Sequence, residues 1–214
     1  MKILLLGKNG QVGHELQRTL LALGEVHAFG RQDADLEDLD ALGRLLDAQT
    51  PDLIVNAAAY TAVDKAETHQ DAARRINAEA VALLARYAQD KRARLVHYST
   101  DYVFDGTKAT PYDVDDQTNP QSVYGATKLA GESAIQESGC NALILRTSWV
   151  FSTHGGNFIK TILRLAKERD ALSIVADQHG ALDGLGHLAA AYAIGLGTGE
   201  DELARGDVHL SAAE

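Results

Sequence analysis

Short apolar runs alternate with longer amphipathic stretches along most of the chain. Five runs have the length and residue types of buried strands: 2–6, 26–29, 53–57, 95–99 and 143–147. Five stretches between and after them carry apolar residues at helical spacing: 12–23, 36–48, 72–88, 123–137 and 158–169. Strands that a helix separates cannot form a hairpin, so they join by right-handed crossovers and lie parallel. The alternation therefore predicts an α/β fold, a doubly wound parallel sheet with helices on both faces.

The composition fits one large domain and argues against several classes of partner. The chain has 214 residues, 45% of them hydrophobic, and its formal net charge of −10 disfavours nucleic acid as a partner. No apolar run reaches the ~18 residues of a membrane span, and the single cysteine, Cys140, allows no intramolecular disulfide. The eight histidines form no HExxH motif, so no metal site is expected. We therefore expect a cytoplasmic protein without a membrane partner.

Three glycines lie at the junction of the first predicted strand and the first predicted helix. The segment 7–13 reads GKNGQVG, so Gly7, Gly10 and Gly13 have the spacing GxxGxxG. Residues without Cβ atoms allow a tight turn and close approach of a pyrophosphate to the N–H groups of Gln11 and Val12. Glycine spacing alone is a weak signal. Its place in a βαβ unit favours a dinucleotide-binding, Rossmann-like domain over a merely structural turn.

The end of the second predicted strand carries the signal for cofactor choice. In domains that prefer NAD an acidic residue there binds the ribose hydroxyls, whereas a cation accommodates the 2′-phosphate of NADP. Here Arg31 follows the strand, and no carboxylate occurs before Asp33. We therefore expect NADPH as the cofactor, with Arg31 on the 2′-phosphate and NADH as the alternative; a solvated loop arginine is the competing interpretation. Asp35 and Leu36 follow where they could flank the adenine.

The regular pattern weakens after residue 177. Residues 185–194 have helical spacing, glycines interrupt 195–199, and 208–210 predict a last short strand. We therefore divide the chain into a cofactor-binding Rossmann domain, 1–177, and a less regular region, 178–214.

A tyrosine and a lysine lie one turn apart in the fourth predicted helix. Tyr124 and Lys128 have the spacing YxxxK, so they share one face of the helix. A phenol has an unperturbed pKa near ~10, and a neighbouring ammonium stabilises the phenolate. Tyr124 can then serve as general acid toward a carbonyl oxygen, although the same spacing is common on solvated helices. After the fourth strand, the hydroxyl of Thr100 or Ser99 can polarise that oxygen.

Six phrases of the sequence carry a resemblance to known enzymes. They are GKNGQVG (7–13), PDLIVNAAAYTAVDKAE (51–67), HYSTDYVFDG (97–106), VYGATKLAGE (123–132), LRTSWVF (145–151) and NFIKTILRLAKER (157–169). Together they resemble the extended short-chain dehydrogenase/reductases, and within them the dTDP-4-dehydrorhamnose reductases. The resemblance implies an NAD(P)H-dependent oxidoreductase that takes a sugar nucleotide, and a homodimer is compatible with it.

The resemblance also implies a set of site residues. Those expected to line the cofactor are Gly10, Gln11, Val12, Asp35, Leu36, Ala59, Tyr60, Thr61, Tyr98, Tyr124 and Lys128. Those expected to face the sugar nucleotide are Thr100, Asp101 and Trp149. For Trp149 a core aromatic is the alternative, and Asn77 is either a site-organising residue or an amide on a helix surface.

The reaction that the resemblance implies is reduction of the 4-keto group of dTDP-4-dehydro-L-rhamnose to dTDP-L-rhamnose. Two alternatives stay open: a regulatory subunit that binds the cofactor without turnover, and a sugar-nucleotide epimerase or dehydratase. Residues 182–187 depart from the family pattern, and the final phrase 209–214 resembles one that precedes a further segment. The resemblance therefore implies that 178–214 is the remnant of a truncated substrate-binding region.

Overall fold

The computed structural model of this protein describes residues 1–174 and the backbone of 206–210. Six strands form one sheet: β1 (Lys2–Leu6), β2 (Glu25–Phe29), β3 (Leu53–Asn56), β4 (Arg94–Thr100), β5 (Asn141–Thr147) and β6 (Gly206–Leu210). The α-helices are α1 (Gln11–Thr19), α2 (Leu39–Gln49), α3 (Val63–Ala66), α4 (Gln70–Arg74), α5 (Ala80–Lys91), α6 (Val123–Ser138) and α7 (Phe158–Glu168). All strand pairs are parallel, as the alternation predicts.

The strand order places a ligand-binding crevice at one edge of the sheet. The order is β2-β1-β3-β4-β5-β6, so the chain runs outward in one direction from β1 to β2 and in the other from β3 onward. In open α/β sheets ligands bind outside the carboxyl ends of the strands at such a reversal. The glycine turn after β1 and the polar residues after β4 therefore meet at the same edge.

Alternate residues of β1 face two separate cores. Ile3 and Leu5 pack with Leu16 of α1 on one face of the sheet, whereas Leu4 and Leu6 pack on the other face with residues of α2, α5 and α6. All four β1 side chains are at most 1% exposed, and burial of each contributes roughly 1.5–3 kcal/mol. Helices therefore cover both faces, which confirms the predicted doubly wound sheet.

Side-chain caps set where several helices begin. The Asp38 carboxylate accepts a hydrogen bond from Ala41 N at 2.9 Å, so α2 begins at Leu39 and not at 36 as the apolar spacing predicts. Ser122 caps α6 by accepting from Gly125 N at 3.1 Å, and Gly139, with φ +68°, ends that helix. The α6 helix that carries the predicted YxxxK pair thus has fixed ends.

The predicted helix over 72–88 contains a π turn. Residues Arg75–Glu79 form this turn between α4 and α5, and Gly131 of α6 packs against it. A Cβ on Gly131 would lie 2.3 Å from the carbonyl oxygen of Asn77, so α6 approaches the turn as closely as backbone allows. Apolar spacing does not distinguish a π turn from the α-helix around it.

Some predictions fall outside the described residues. These are the helical spacing of 185–194 and the domain boundary at 177. The strand predicted at 208–210 is present as the longer β6. Within residues 1–174 and 206–210, no helix is both long and apolar enough to span a membrane.

Candidate active site

A cleft of about 810 Å³ opens at the carboxyl edge of the sheet. Sequence-predicted site residues on its walls are Gly7, Gly10, Gln11, Val12, Arg31, Asp35, Leu36, Ala59, Tyr60, Thr61, Tyr98, Thr100, Asp101, Tyr124, Lys128 and Trp149. Gly13 lies behind this wall, where it lets α1 approach the turn. The fold therefore collects residues from the first 150 positions of the chain into one continuous surface.

The glycine turn is shaped for close backbone approach. Gly7 has φ +89°, and a Cβ there would lie 2.8 Å from the backbone of Ala57 and Ala58. A Cβ on Gly13 would lie 2.1 Å from the Gly7 carbonyl oxygen. Within the part of the chain that the structure describes, no side chain caps the N-terminus of α1, so its N–H groups remain available to an anion at the cleft. These features fit the pyrophosphate of a dinucleotide.

A second loop, Ser152 to Asn157, is tied to the glycine turn. The Asn157 side-chain amide donates to Gln11 Oε1 at 3.0 Å, and His154 Nε2 lies 3.2 Å from the Asn9 carbonyl oxygen. The His154 ring also stacks on His14 of α1, with centroids 3.9 Å apart. These contacts could not be predicted from the sequence, because they join residues about 146 positions apart without a shared motif.

Arg31 lies at the ribose end of the cleft but is paired with carboxylates. Its Nη2 donates to Glu37 Oε1 at 2.6 Å, and its Nε lies 3.4 Å from Asp35 Oδ2. Lys8 forms a neighbouring ion pair with Asp33 at 2.7 Å. The structure thus places Arg31 on the cleft wall with two anionic partners, for which any bound phosphate would compete.

Tyr124 projects from the first turn of α6 into the cleft. Burial raises its pKa to about 12, and a hydrogen bond from the Thr100 hydroxyl acts in the opposite direction. The nearby charge of Asp101 raises the pKa further, and the ring of Tyr102 packs edge-on at 5.6 Å. At neutral pH the phenol therefore keeps its proton and can donate it.

Lys128 reaches the cleft from below Tyr124 on the same helix. It is only 1% exposed, and its Nζ donates to the Tyr98 carbonyl oxygen at 2.6 Å. His97 Nε2 lies 3.1 Å from the same nitrogen. Burial lowers the pKa of Lys128 to about 8, while the carboxylate of Glu132 opposes this shift. The ammonium form still predominates at neutral pH.

Ser99 does not serve as the carbonyl donor that the sequence left open. Its hydroxyl donates to Glu132 Oε1, and Glu132 is held by Arg146 through Nη2 to Oε2 at 2.6 Å. All three side chains are at most 5% exposed, so although Ser99 lines the cleft, its hydroxyl proton is committed to this buried network. Thr100 is the remaining hydroxyl, and it contacts Asp101 Oδ1 at 3.1 Å.

The sequence matches the family described as RmlD substrate binding domain over residues 1–213. A dTDP-4-dehydrorhamnose reductase of Burkholderia thailandensis is 50% identical over 206 residues, which cover 96% of this chain and 69% of that protein. The chain belongs to the dTDP-4-dehydrorhamnose reductase family. The resemblance stated from the six sequence phrases is therefore confirmed.

Solved structures of dTDP-4-dehydrorhamnose reductases agree with the fold. One from Clostridium acetobutylicum superimposes with a TM-score of 0.93 at 38% identity, covering 100% of this chain and 75% of that one. Another, from Bacillus anthracis in complex with NADP, gives 0.92 at 34% identity with the same coverage. The Rossmann-like fold predicted from the alternating pattern is thus shared with the reductase family.

In this member of the reductase family, Asn77 organises the site. The side chain is 1% exposed; its Oδ1 accepts from Tyr60 N at 2.9 Å, and its Nδ2 donates to the Tyr60 carbonyl and to Thr127 Oγ1, each at 3.2 Å. It therefore joins the loop after β3 to α6. The alternative of an amide on a helix surface is wrong, because the π turn directs this residue inward.

Trp149 follows β5 on the opposite wall of the cleft. It has φ +35°, an unfavourable conformation for a bulky residue, and it is 36% exposed. Its ring lies 5.8 Å from that of Phe158, which is itself half exposed. A core aromatic would be buried, so the alternative interpretation of Trp149 is wrong. Backbone strain of this kind clusters at functional sites.

Proposed function

We propose that this chain reduces the 4-keto group of dTDP-4-dehydro-L-rhamnose to dTDP-L-rhamnose with NADPH, in the cytoplasm. The observation that carries the proposal is the convergence of Thr100, Tyr124 and Lys128 on one cleft in a member of this family. We assign residues 1–177 to cofactor binding and 178–214 to the sugar-nucleotide region.

The residues that would hold the cofactor follow its length through the cleft. The uncapped N-terminus of α1, at Gln11 and Val12, suits the pyrophosphate, and Arg31 suits a 2′-phosphate. Asp35 and Leu36 line the adenine end, while Ala59, Tyr60, Thr61, Tyr98 and Lys128 line the path toward the nicotinamide end. When bound, NADPH supplies a hydride, and NADH is the alternative donor.

Tyr124 supplies the proton that the reduction consumes. As the carbonyl carbon gains a hydride, the oxygen develops negative charge and takes the phenolic proton of Tyr124. The raised pKa of Tyr124 keeps that proton in place until charge develops. Lys128, one helical turn further along α6, also lines the cleft and is the cation that would stabilise the phenolate that remains.

Thr100, Asp101 and Trp149 form the surface that would face the sugar nucleotide. The Thr100 hydroxyl lies beside the Tyr124 phenol. Its single proton faces Asp101 Oδ1 at 3.1 Å, and it can turn from there to a substrate oxygen that Tyr124 also contacts. Burial raises the pKa of Asp101, and the hydroxyls of Thr100 and Ser148 lower it by donating to the carboxylate. The partly exposed indole of Trp149 offers an apolar face across the cleft.

The test is turnover by the purified chain. During incubation with dTDP-4-dehydrorhamnose and NADPH, the absorbance of NADPH should decrease as the cofactor is oxidised. The product should be dTDP-L-rhamnose, identified by NMR. Tyr124→Phe should bind NADPH within about twofold of the wild type yet lower kcat by roughly 100-fold or more, because only the proton donor is lost.

Each other outcome contradicts the proposal in a recognisable way. A wild-type chain that binds NADPH tightly but never oxidises it would be the cofactor-binding regulatory subunit. A sugar nucleotide altered without net consumption of NADPH would indicate an epimerase or dehydratase.

A further inference from the structure

The segment 57–67, which follows β3, continues beyond the residues that line the cleft. Its last part forms the short helix α3, and Ala66 at the end of this helix is fully buried. Glu67 comes next and is exposed, yet its carboxylate contacts a different element: Oε1 accepts a hydrogen bond from Val123 N at 2.9 Å. The two residues are 56 positions apart in the chain. Glu67 therefore joins the segment 57–67 to the start of α6.

The N–H group that Glu67 binds belongs to the first turn of α6. The first N–H groups of an α-helix have no acceptor within the helix, so other groups must supply one. Val123 N uses Glu67, and Gly125 N uses the Ser122 hydroxyl at 3.1 Å. Tyr124 lies between these two residues. Both chain neighbours of the proposed proton donor are thus held by side chains from outside the helix.

The two caps connect α6 to different parts of the molecule. Ser122 directly precedes the helix, so its contact is local. Glu67 belongs to the segment 57–67, and residues 57–63 of that segment line the cleft along the path toward the nicotinamide end. The hydrogen bond between Glu67 and Val123 N therefore links this wall of the cleft to the turn that carries the general acid.

Asn77 makes a second connection between the same two parts. Its side chain accepts from Tyr60 N at 2.9 Å and donates to Thr127 Oγ1 at 3.2 Å. The Thr127 hydroxyl in turn donates to the Tyr124 carbonyl oxygen at 2.9 Å. We propose that Glu67 is a positioning residue that, together with this connection, fixes Tyr124 relative to the wall of the cleft during the reduction. The inference rests on the proposed function.

The placement of Tyr124 should affect the rate more than cofactor binding. A proton donor must come within about 2.6–3.2 Å of its acceptor, and a misplacement of ~1 Å can cost about 100-fold in rate. The Glu67 side chain is exposed, so loss of its contact should loosen the first turn of α6 without unfolding the helix. We therefore expect the effect in kcat.

Two substitutions at Glu67 test this role. Glu67→Ala removes the acceptor, and we expect kcat to fall roughly five- to tenfold while the KM for NADPH stays within about twofold. Glu67→Gln keeps an amide oxygen that can accept from Val123 N, so it should restore most of kcat. Tyr87→Phe is the matched control, because it removes a hydrogen bond of equal length, 2.9 Å to the Leu46 carbonyl oxygen, outside the cleft. It should keep the kcat of the wild type.

A cap that only stabilises the fold predicts a different pattern. In that case Glu67→Ala and Tyr87→Phe would lower the Tm alike, and both would keep the kcat of the wild type. This result would overturn the proposal, and so would a Glu67→Gln protein as slow as Glu67→Ala.

Amide hydrogen exchange measured by NMR gives a readout that needs no turnover. The Val123 N–H should exchange roughly tenfold faster in Glu67→Ala, and at nearly the wild-type rate in Glu67→Gln and Tyr87→Phe. In the wild-type protein, the proton shift of this N–H should follow the titration of the Glu67 carboxyl group, which provides the test if the alanine variant does not fold. A Val123 N–H that responds to neither change would overturn the proposal. An inactive wild type that shows both responses would contradict the proposed function alone.

Discussion

Arg31 is the side chain that we propose as the determinant of cofactor choice. It is 73% exposed and pairs with Glu37 at 2.6 Å and with Asp35 at 3.4 Å. Exposed ion pairs contribute only about 0–1 kcal/mol, so little is lost when a phosphate replaces a carboxylate. A phosphate carries up to two negative charges and three acceptor oxygens, so it can compete with a single carboxylate for this guanidinium.

Replacement of Arg31 by alanine should therefore affect the two cofactors unequally. We expect the Kd of NADPH to rise roughly tenfold and that of NADH to stay within about twofold, because only NADPH carries the 2′-phosphate. Titration calorimetry with both cofactors measures this. Arg18→Ala, which removes an equally exposed arginine from α1, is the matched control. An equal rise in the Kd of both cofactors would show that Arg31 does not bind the 2′-phosphate.

The site residues that could be predicted from the sequence are those that belong to a local sequence motif. Tyr124 and Lys128 share a local spacing, and the structure places both on the cleft. His97 lies in an apolar strand, and its partner Lys128 is 31 positions away on another element, so no local pattern links them. The choice between Ser99 and Thr100 also needed the structure, since it depends on the buried carboxylate of Glu132.

At the scale of elements, the junction of β1 and α1 determines whether a dinucleotide can bind. Gly7 and Gly13 make backbone contacts that side chains would obstruct. A Cβ on Gly43, in the middle of α2, would instead meet no atom of the described residues within 4 Å. Of the two helical glycines, Gly13 therefore has no room for a side chain, whereas Gly43 has room for one.

Alanine at these two helical glycines should have opposite effects. Gly13→Ala brings a Cβ to 2.1 Å from the Gly7 oxygen, so we expect NADPH binding to be lost and the free energy of unfolding to fall by about 1–3 kcal/mol. Gly43→Ala should raise it by about 0.4–1 kcal/mol, because the unfolded chain loses freedom and the helix loses a poor helix former. Urea unfolding and NADPH titration measure both. A Gly13→Ala protein that binds NADPH normally would contradict the proposed turn geometry.

The elements themselves were predictable where one physical cause dominates. Burial on two faces gave the strands their continuous apolar runs, and all five runs are strands. Helix starts depended on caps such as Asp38, which apolar spacing ignores. The π turn around Asn77 depends on contact with α6, a tertiary cause that no local window contains.

For the whole molecule, the fully buried His97 side chain makes the free energy of unfolding depend on pH. His97 has a pKa far below 6.5 when folded, and a pKa near 6.5 when unfolded. Below that value the unfolded chain binds a proton that the folded chain does not, so the contribution of neutral His97 is complete above it and is lost as the pH falls.

The free energy of unfolding should therefore decrease on acidification. Between about pH 6.5 and about pH 5, His97 should contribute a slope of at most ~1.4 kcal/mol per pH unit. Urea unfolding of the wild type and of His97→Gln across this range isolates that slope, since the variant lacks the titrating ring. Parallel curves for the two proteins would mean that the pKa of His97 is the same in the folded and unfolded chain, which contradicts this account.

Residues in or directly after β1, β3, β4, α6 and β5 line the cleft. Hydride transfer requires all of them to be correctly arranged, so it tests the site as a whole. The most direct measurement follows deuterium into the sugar nucleotide from NADPH that carries deuterium at both hydrogen positions of nicotinamide C4. We predict dTDP-L-rhamnose with one deuterium at C4 from the wild type, and the same labelled product formed roughly 100-fold or more slowly by Tyr124→Phe. Unlabelled dTDP-L-rhamnose, or no product despite bound NADPH, would contradict the proposed reduction.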